Sequence, residues 1–139
     1  MVKDVTEPPL MQRHIIVYFA PYDLDRDTRY DLTGHDAGRL VAAAKKLCEQ
    51  HAYVPVAAVP HDTRVGVEFS LDYAYRMMQN GVFSDSWTLE PPHGLKPLLD
   101  PIEVDGVGAY GHRSAMMGDL FEIGGQRYVV AAIGFLKLD

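Results

Sequence analysis

The chain has a single cysteine, Cys48. That scarcity excludes an intramolecular disulfide and any metal site built on several thiolates. No basic cluster is larger than Lys45-Lys46, and neither half of the chain is basic. Phosphate contacts dominate nucleic-acid affinity, so a nucleic acid is not an expected partner. No apolar run approaches the length of a membrane span, so no membrane association is expected. The opening MVKDVTEPPL lacks the apolar core of a secretion signal, which makes the cytoplasm the expected compartment. Also missing are the G-x-S-x-G of a nucleophile elbow and a glycine-rich loop between strand and helix that would cradle a phosphate. No two histidines have H-x-x-x-H spacing, and none lies at zinc-ligand spacing from Cys48. The expectation is a protein with no recognisable catalytic residue.

What is present is an ordinary globular composition: 139 residues, 47% hydrophobic, 23% charged, formal net charge −6. This length fits one domain with a real core. The acidity is too thin for a mimic of DNA and is of the size that keeps a protein soluble. Residues 1–12, polar and carrying Pro8-Pro9, are expected to form a flexible tail ahead of a single domain over 13–139.

The patterning predicts alternating strands and helices. HIIVYF at 14–19 reads as a buried strand stopped by Pro21. A polar loop is expected over 21–34. Residues 36–50 place Ala37, Leu40, Val41, Ala44, Leu47 and Cys48 on one stripe, the mark of an amphipathic helix. Thr33 with Asp36 resembles a capping box ahead of it. YVPVAAV at 53–59 reads as a strand in which Pro55 marks an edge or a bulge. Alternation over 65–69 predicts a short half-buried strand. Ser70 is placed as the cap of a second helix, 71–80, with Leu71, Ala74, Tyr75 and Met78 inward and Asn80-Gly81 as its stop. Residues 82–89 read as extended, and four prolines and a glycine fit a long irregular segment over 90–101. One short strand is expected within 102–110. Gly124-Gly125 joins 119–123 to 126–132 in a hairpin. Together these predict an α+β fold, two helices on a mixed or antiparallel sheet of about five or six strands, with a C-terminal β-hairpin.

Three groups of residues are candidate sites. Asp23, Asp25, Asp27 and Asp31 alternate in one loop, as carboxylates do in the first positions of a calcium loop. Thr28 and Gly34 stand where that loop needs Gly and a bidentate Glu. No cofactor is expected, calcium at Asp23–Asp31 being the one alternative with a pattern behind it. His61, His93, His112 and Arg113 lie in separate loops, and the fold could bring them to one ligand pocket. Tyr22, Tyr30, Trp87 and Tyr110 are aromatic residues with polar tips near loops, the type favoured at protein interfaces.

The last 27 residues, RSAMMGDLFEIGGQRYVVAAIGFLKLD, carry a pattern of their own. Arg113, Ser114, Gly118, Asp119, Leu120, Tyr128, Val130, Gly134 and Phe135 follow the order R-S…G-D-[V/L]…Y-x-V…G-F, with Met116 where a second Ser usually stands. In this order the segment resembles small uncharacterised proteins encoded by bacterial phages and plasmids. The resemblance implies an accessory protein of a mobile genetic element and carries over no catalytic residue. Gly118 is expected to permit a tight turn, Asp119 to bond nearby backbone N–H groups, and Gly134 to permit a bulge.

The expected function is therefore protein–protein binding without catalysis, modulating a host enzyme or a defence system. The alternatives are a small enzyme or a small-molecule or metal-binding protein with a His/Arg-lined pocket, and a structural component of a phage particle. A protein partner is expected, and a homo-oligomer is compatible with the edge-like strand near 53–59.

Overall fold

A computed structural model describes residues 14–139. The tail expected over 1–12 lies outside the described residues. The first strand, β1 (His14–Phe19), is central, and both of its faces are covered. Ile15, Val17 and Phe19 face one core, while Tyr18 packs against a second core on the opposite face. A strand buried on both sides has no reason to alternate apolar with polar, which is why HIIVYF is a continuous apolar run.

Among the described residues three helices flank the sheet. α1 (Arg26–Leu32) and α2 (Ala37–Glu49) pack on one face through Leu32, Leu40, Ala43, Ala44 and Leu47. α3 (Val67–Met77) packs on the other through Leu71, Ala74 and Met77. The strands are β2 (Val54–Pro60), β3 (Lys96–Pro97), β4 (Ile102–Val104), β5 (Gly108–Tyr110), β6 (Leu120–Ile123), β7 (Gln126–Val130) and β8 (Phe135–Lys137). Six of them form one sheet in the order β3-β2-β1-β6-β7-β8, and every pair in it is antiparallel. β4 and β5 form a separate two-stranded hairpin. The fold is α+β, as expected.

The C-terminal hairpin turns at Gly124 (φ 58°) and Gly125 (φ 80°), both left-handed as a type I′ turn requires. β8 adds a further strand beyond it. Pro55 sits at a bulge: Val17 pairs with Ala57 and Tyr18 with Pro55, so Val56 is the extra residue.

Several local expectations are corrected. The loop over 21–34 contains α1, nucleated by Asp25, whose side chain accepts from the Thr28 N–H. Its helical character was hidden because Leu32 is its one buried residue. Thr33 and Asp36 do not form a capping box. Asp36 alone caps α2 by accepting from Arg39 N–H, and Thr33 closes α1 with its hydroxyl on the Arg29 carbonyl. The strand expected over 65–69 is the start of α3, capped at Gly66. Ser70 is buried inside that helix, its hydroxyl 3.1 Å from His61 Nδ1. A five-residue alternation cannot outweigh the sheet face waiting to bury Leu71, Ala74 and Met77 at helical spacing. Residues 82–89 form turns, and β3 gives the proline-rich segment a brief pairing with β2.

Candidate functional site

The C-terminal end of β1, the Arg113–Asp119 segment and α1 meet around one buried carboxylate. Asp119 is fully buried at the start of β6. Its Oδ1 accepts from Ala20 N–H at 2.9 Å and Arg113 Nη2 at 2.9 Å. Its Oδ2 accepts from Arg113 Nη1 at 2.7 Å and Met116 N–H at 2.8 Å. Both oxygens are therefore occupied, and the arginine pairs end-on through both terminal nitrogens. Burial pushes the Asp119 carboxyl up from the usual range, while Arg113 and the two backbone donors pull it back.

Arg113 is held from several sides. Its Cζ lies 3.9 Å over the Phe19 ring, a cation–π contact that fixes the plane of the guanidinium. Nη1 also donates to the Ser114 carbonyl. The Arg113 carbonyl accepts from Trp87 Nε1 at 2.7 Å. Asn80 ties the same segment to the turn after α3: its Nδ2 donates to the His112 carbonyl, its N–H to Ser114 Oγ, and its Oδ1 accepts from Trp87 N–H. Gly118, at φ +90°, makes the turn into Asp119, and its carbonyl accepts from the Tyr53 hydroxyl. The roles expected of Gly118 and Asp119 are the ones they take.

Beside this ion pair lies a cleft of about 440 Å³. Phe19, Tyr22, Leu24, Leu32, Ile102, Met116 and Met117 supply most of its wall, and Arg29, His112, Arg113 and Asp119 supply its polar groups. Arg29 Nη2 donates to the Tyr22 carbonyl, which draws the loop after β1 over α1. His112 Nε2 is 2.8 Å from the Asp100 carbonyl. A carbonyl only accepts, so Nε2 carries the hydrogen.

The four residues expected at one pocket separate. His112 and Arg113 line the cleft. His61 pairs with Ser70 at the N-terminal turns of α3, and His93 is exposed in the proline-rich segment. Of the four candidate interface aromatics, Tyr22 is exposed at the cleft mouth, Tyr30 is exposed on α1, and Tyr110 is exposed on β5. Trp87 does not belong with them. It is fully buried, edge-on to Phe19 at 5.9 Å, so its ring offers nothing to a partner. Asp25 is spent on the α1 cap, and the Thr28 hydrogen bond holds its carboxyl below the usual range. Asp27 and Asp31 lie within α1, Asp23 precedes it, and among the described residues no group of three or more His, Cys, Asp or Glu is placed to hold a metal.

A second feature escaped the sequence reading. Phe69 and Tyr73 project from the outer face of α3 with parallel rings 6.5 Å apart, and Phe83 packs on Tyr73 at 5.6 Å. The three are 60%, 42% and 48% exposed, with Val82 exposed beside Phe83 in sequence. The signal was there: Phe69 and Tyr73 are four apart, on the opposite side of the helix from Leu71, Ala74 and Met78.

Compared with known proteins, the chain matches no family model, no curated protein and no solved structure. Among the described residues no helix is long and apolar enough to cross a membrane.

Proposed function

We propose that this protein acts by protein–protein binding, as a small accessory protein of a phage or plasmid that engages a host enzyme or defence component. One observation carries the reading: the aromatic strip Phe69–Tyr73–Phe83, stacked on itself and left open to water. Exposed aromatics that touch one another are the composition of interface centres and a poor use of a monomer's surface. The order of residues from Arg113 to Phe135 supports the mobile-element setting. The net charge of −6 favours a partner with a basic rim around an apolar pocket.

The test is affinity capture from a bacterial lysate with the wild-type chain and the double variant Phe69→Ser/Tyr73→Ser, at low and high salt. The expected result is one stoichiometric partner that survives high salt and is lost with the double variant. A partner retained by the variant would place the contact elsewhere. A wild-type bait that captures nothing would sink the reading.

A second reading, a small-molecule-binding protein, has its own observation, the cleft beside Arg113.

A further inference from the structure

We propose that the cleft beside Arg113 binds a small apolar carboxylate, with the carboxylate held by the unused edge of the Arg113 guanidinium and the apolar body lying against Phe19, Leu24, Met116 and Met117. The proposal rests on the ligand-binding reading of the cleft and is independent of the aromatic strip. A guanidinium has five N–H donors. In Arg113 two face Asp119 and a third faces the Ser114 carbonyl. Among the described residues, Nε–H and the second hydrogen of Nη2 find no protein acceptor. Those two lie on one edge and point the same way, the fork that takes both oxygens of a carboxylate. Asp119 and the Phe19 ring already fix the guanidinium, so a ligand meets a donor pair whose ordering cost is spent in folding.

The charge around the cleft agrees. The chain is acidic overall, yet among the described residues the charged side chains of this cleft are two arginines against one aspartate, and that aspartate is already paired. The hollow beside α1 and α2 has the reverse balance, Asp31 and Asp36 against Arg39. An anion is therefore drawn to one cleft of an acidic protein. The volume, about 440 Å³, suits a molecule of one ring or a short chain. Met116 and Met117 can adapt to either body.

The experiment is titration of the ¹⁵N-labelled full chain with 3-phenylpropionate, its neutral analogue 3-phenylpropanol, and a short peptide ending in a free phenylalanine carboxylate, followed by amide shifts. The expected result is saturable movement at Ala20, Tyr22 and Met116 with 3-phenylpropionate, at a Kd on the order of 1 mM or tighter. The alcohol should bind at least about tenfold more weakly, the share of a charge-assisted pair. Substituting Arg113 would strand Asp119, so the variants act elsewhere on the cleft. Arg29→Gln removes its second cation and should weaken binding about threefold. Met116→Trp, at a half-exposed position, should fill the cleft and abolish the shifts. Equal affinity for acid and alcohol, no saturable shift at these amides, or wild-type binding by Met116→Trp would each overturn the proposal. Binding of the peptide but not the free acid would also overturn it, by assigning the site to a chain terminus.

Discussion

Replacing Asp119 with Asn should be among the most damaging conservative changes in the chain. The substitution keeps the volume and exchanges one acceptor oxygen for an NH₂ donor. Four donors converge on the carboxylate at 2.7–2.9 Å: two from Arg113 and the N–H groups of Ala20 and Met116. Whichever way the amide turns, two of them face a donor. A buried donor without an acceptor costs about 1–3 kcal/mol, and breaking a buried ion pair from one side costs about 3–5 kcal/mol. The two routes agree near 4 kcal/mol, which for a domain of this size lowers Tm by about 10–15 °C. Trp87 is the one tryptophan, it is buried, and it donates to the Arg113 carbonyl, so its fluorescence reports the transition in urea. Arg113→Met should cost less at low pH than at neutral pH. Without the guanidinium the Asp119 carboxyl rises further above its unfolded value, so the folded state binds the extra proton and gains stability as pH falls toward that value. The double variant Asp119→Asn/Arg113→Met should lose clearly less than the two single losses added together. A loss below about 1 kcal/mol for Asp119→Asn, or strict additivity, would refute the account of this site.

Other outcomes follow from single contacts. Gly118→Ala adds a Cβ 3.0 Å from Leu32 Cβ at φ +90°, and should cost about 2 kcal/mol in the same urea assay. Asp36→Ala removes the acceptor for Arg39 N–H at the start of the 13-residue helix α2, and should cost about 1 kcal/mol while Asp36→Asn costs a fraction of that. Burial and the neighbouring Glu122 push the Tyr18 hydroxyl up to about 12, and burial raises Tyr53 as well. The folded state then keeps protons that the unfolded chain releases near pH 10, so this stability is intact below pH 10 and is lost as pH rises through about 12. Burial raises Tyr75 too, so ultraviolet titration of tyrosinate should show a late group of ionisations that coincides with unfolding, and Tyr18→Phe and Tyr53→Phe should each remove one. Early, reversible ionisation of Tyr18 and Tyr53 in its place would contradict the burial argument.

The strands were legible because burial on both faces leaves a plain mark. IIVYF and VPVAAVP carry no charged residue and are dominated by apolar side chains, and Gly124-Gly125 fixes the turn between β6 and β7. The helix α2 was legible because its apolar stripe runs for three turns. α1 was not, since a seven-residue helix that buries only Leu32 has no stripe to read. α3 was displaced because Val65, Val67 and Phe69 alternate by chance across its cap, and alternation over five residues is too short to separate strand from helix. The site was half legible. Arg113 and His112 stood out as polar loop residues. Asp119 stood out only as a turn residue, because its role as a buried anion depends on Ala20, ninety-nine positions away. Trp87 was misplaced for a related reason: a tryptophan between polar residues reads as exposed until Asn80 and the Arg113 carbonyl claim its N–H groups.

The aromatic strip offers a clean separation of stability from function. Phe69, Tyr73 and Phe83 stack on one another, yet none belongs to the two buried cores. Ring pairs of this kind contribute about 0.5–1.5 kcal/mol when buried, and these are open to water, where the gain is smaller. Removing exposed rings also lowers the apolar area that the folded state leaves in contact with water. The double variant Phe69→Ser/Tyr73→Ser should therefore unfold within about 0.5 kcal/mol of the wild type, as ordinary surface changes do. A core residue of the same helix behaves oppositely: Leu71→Ala should cost about 2–5 kcal/mol, because Leu71 is 1% exposed and a cavity remains. If the strip exists to hold α3 in place, the Ser variant will fall toward the Leu71→Ala value. If it exists to meet another protein, the Ser variant will keep its fold and lose its partner, and urea melts of the three chains beside the capture experiment distinguish the two.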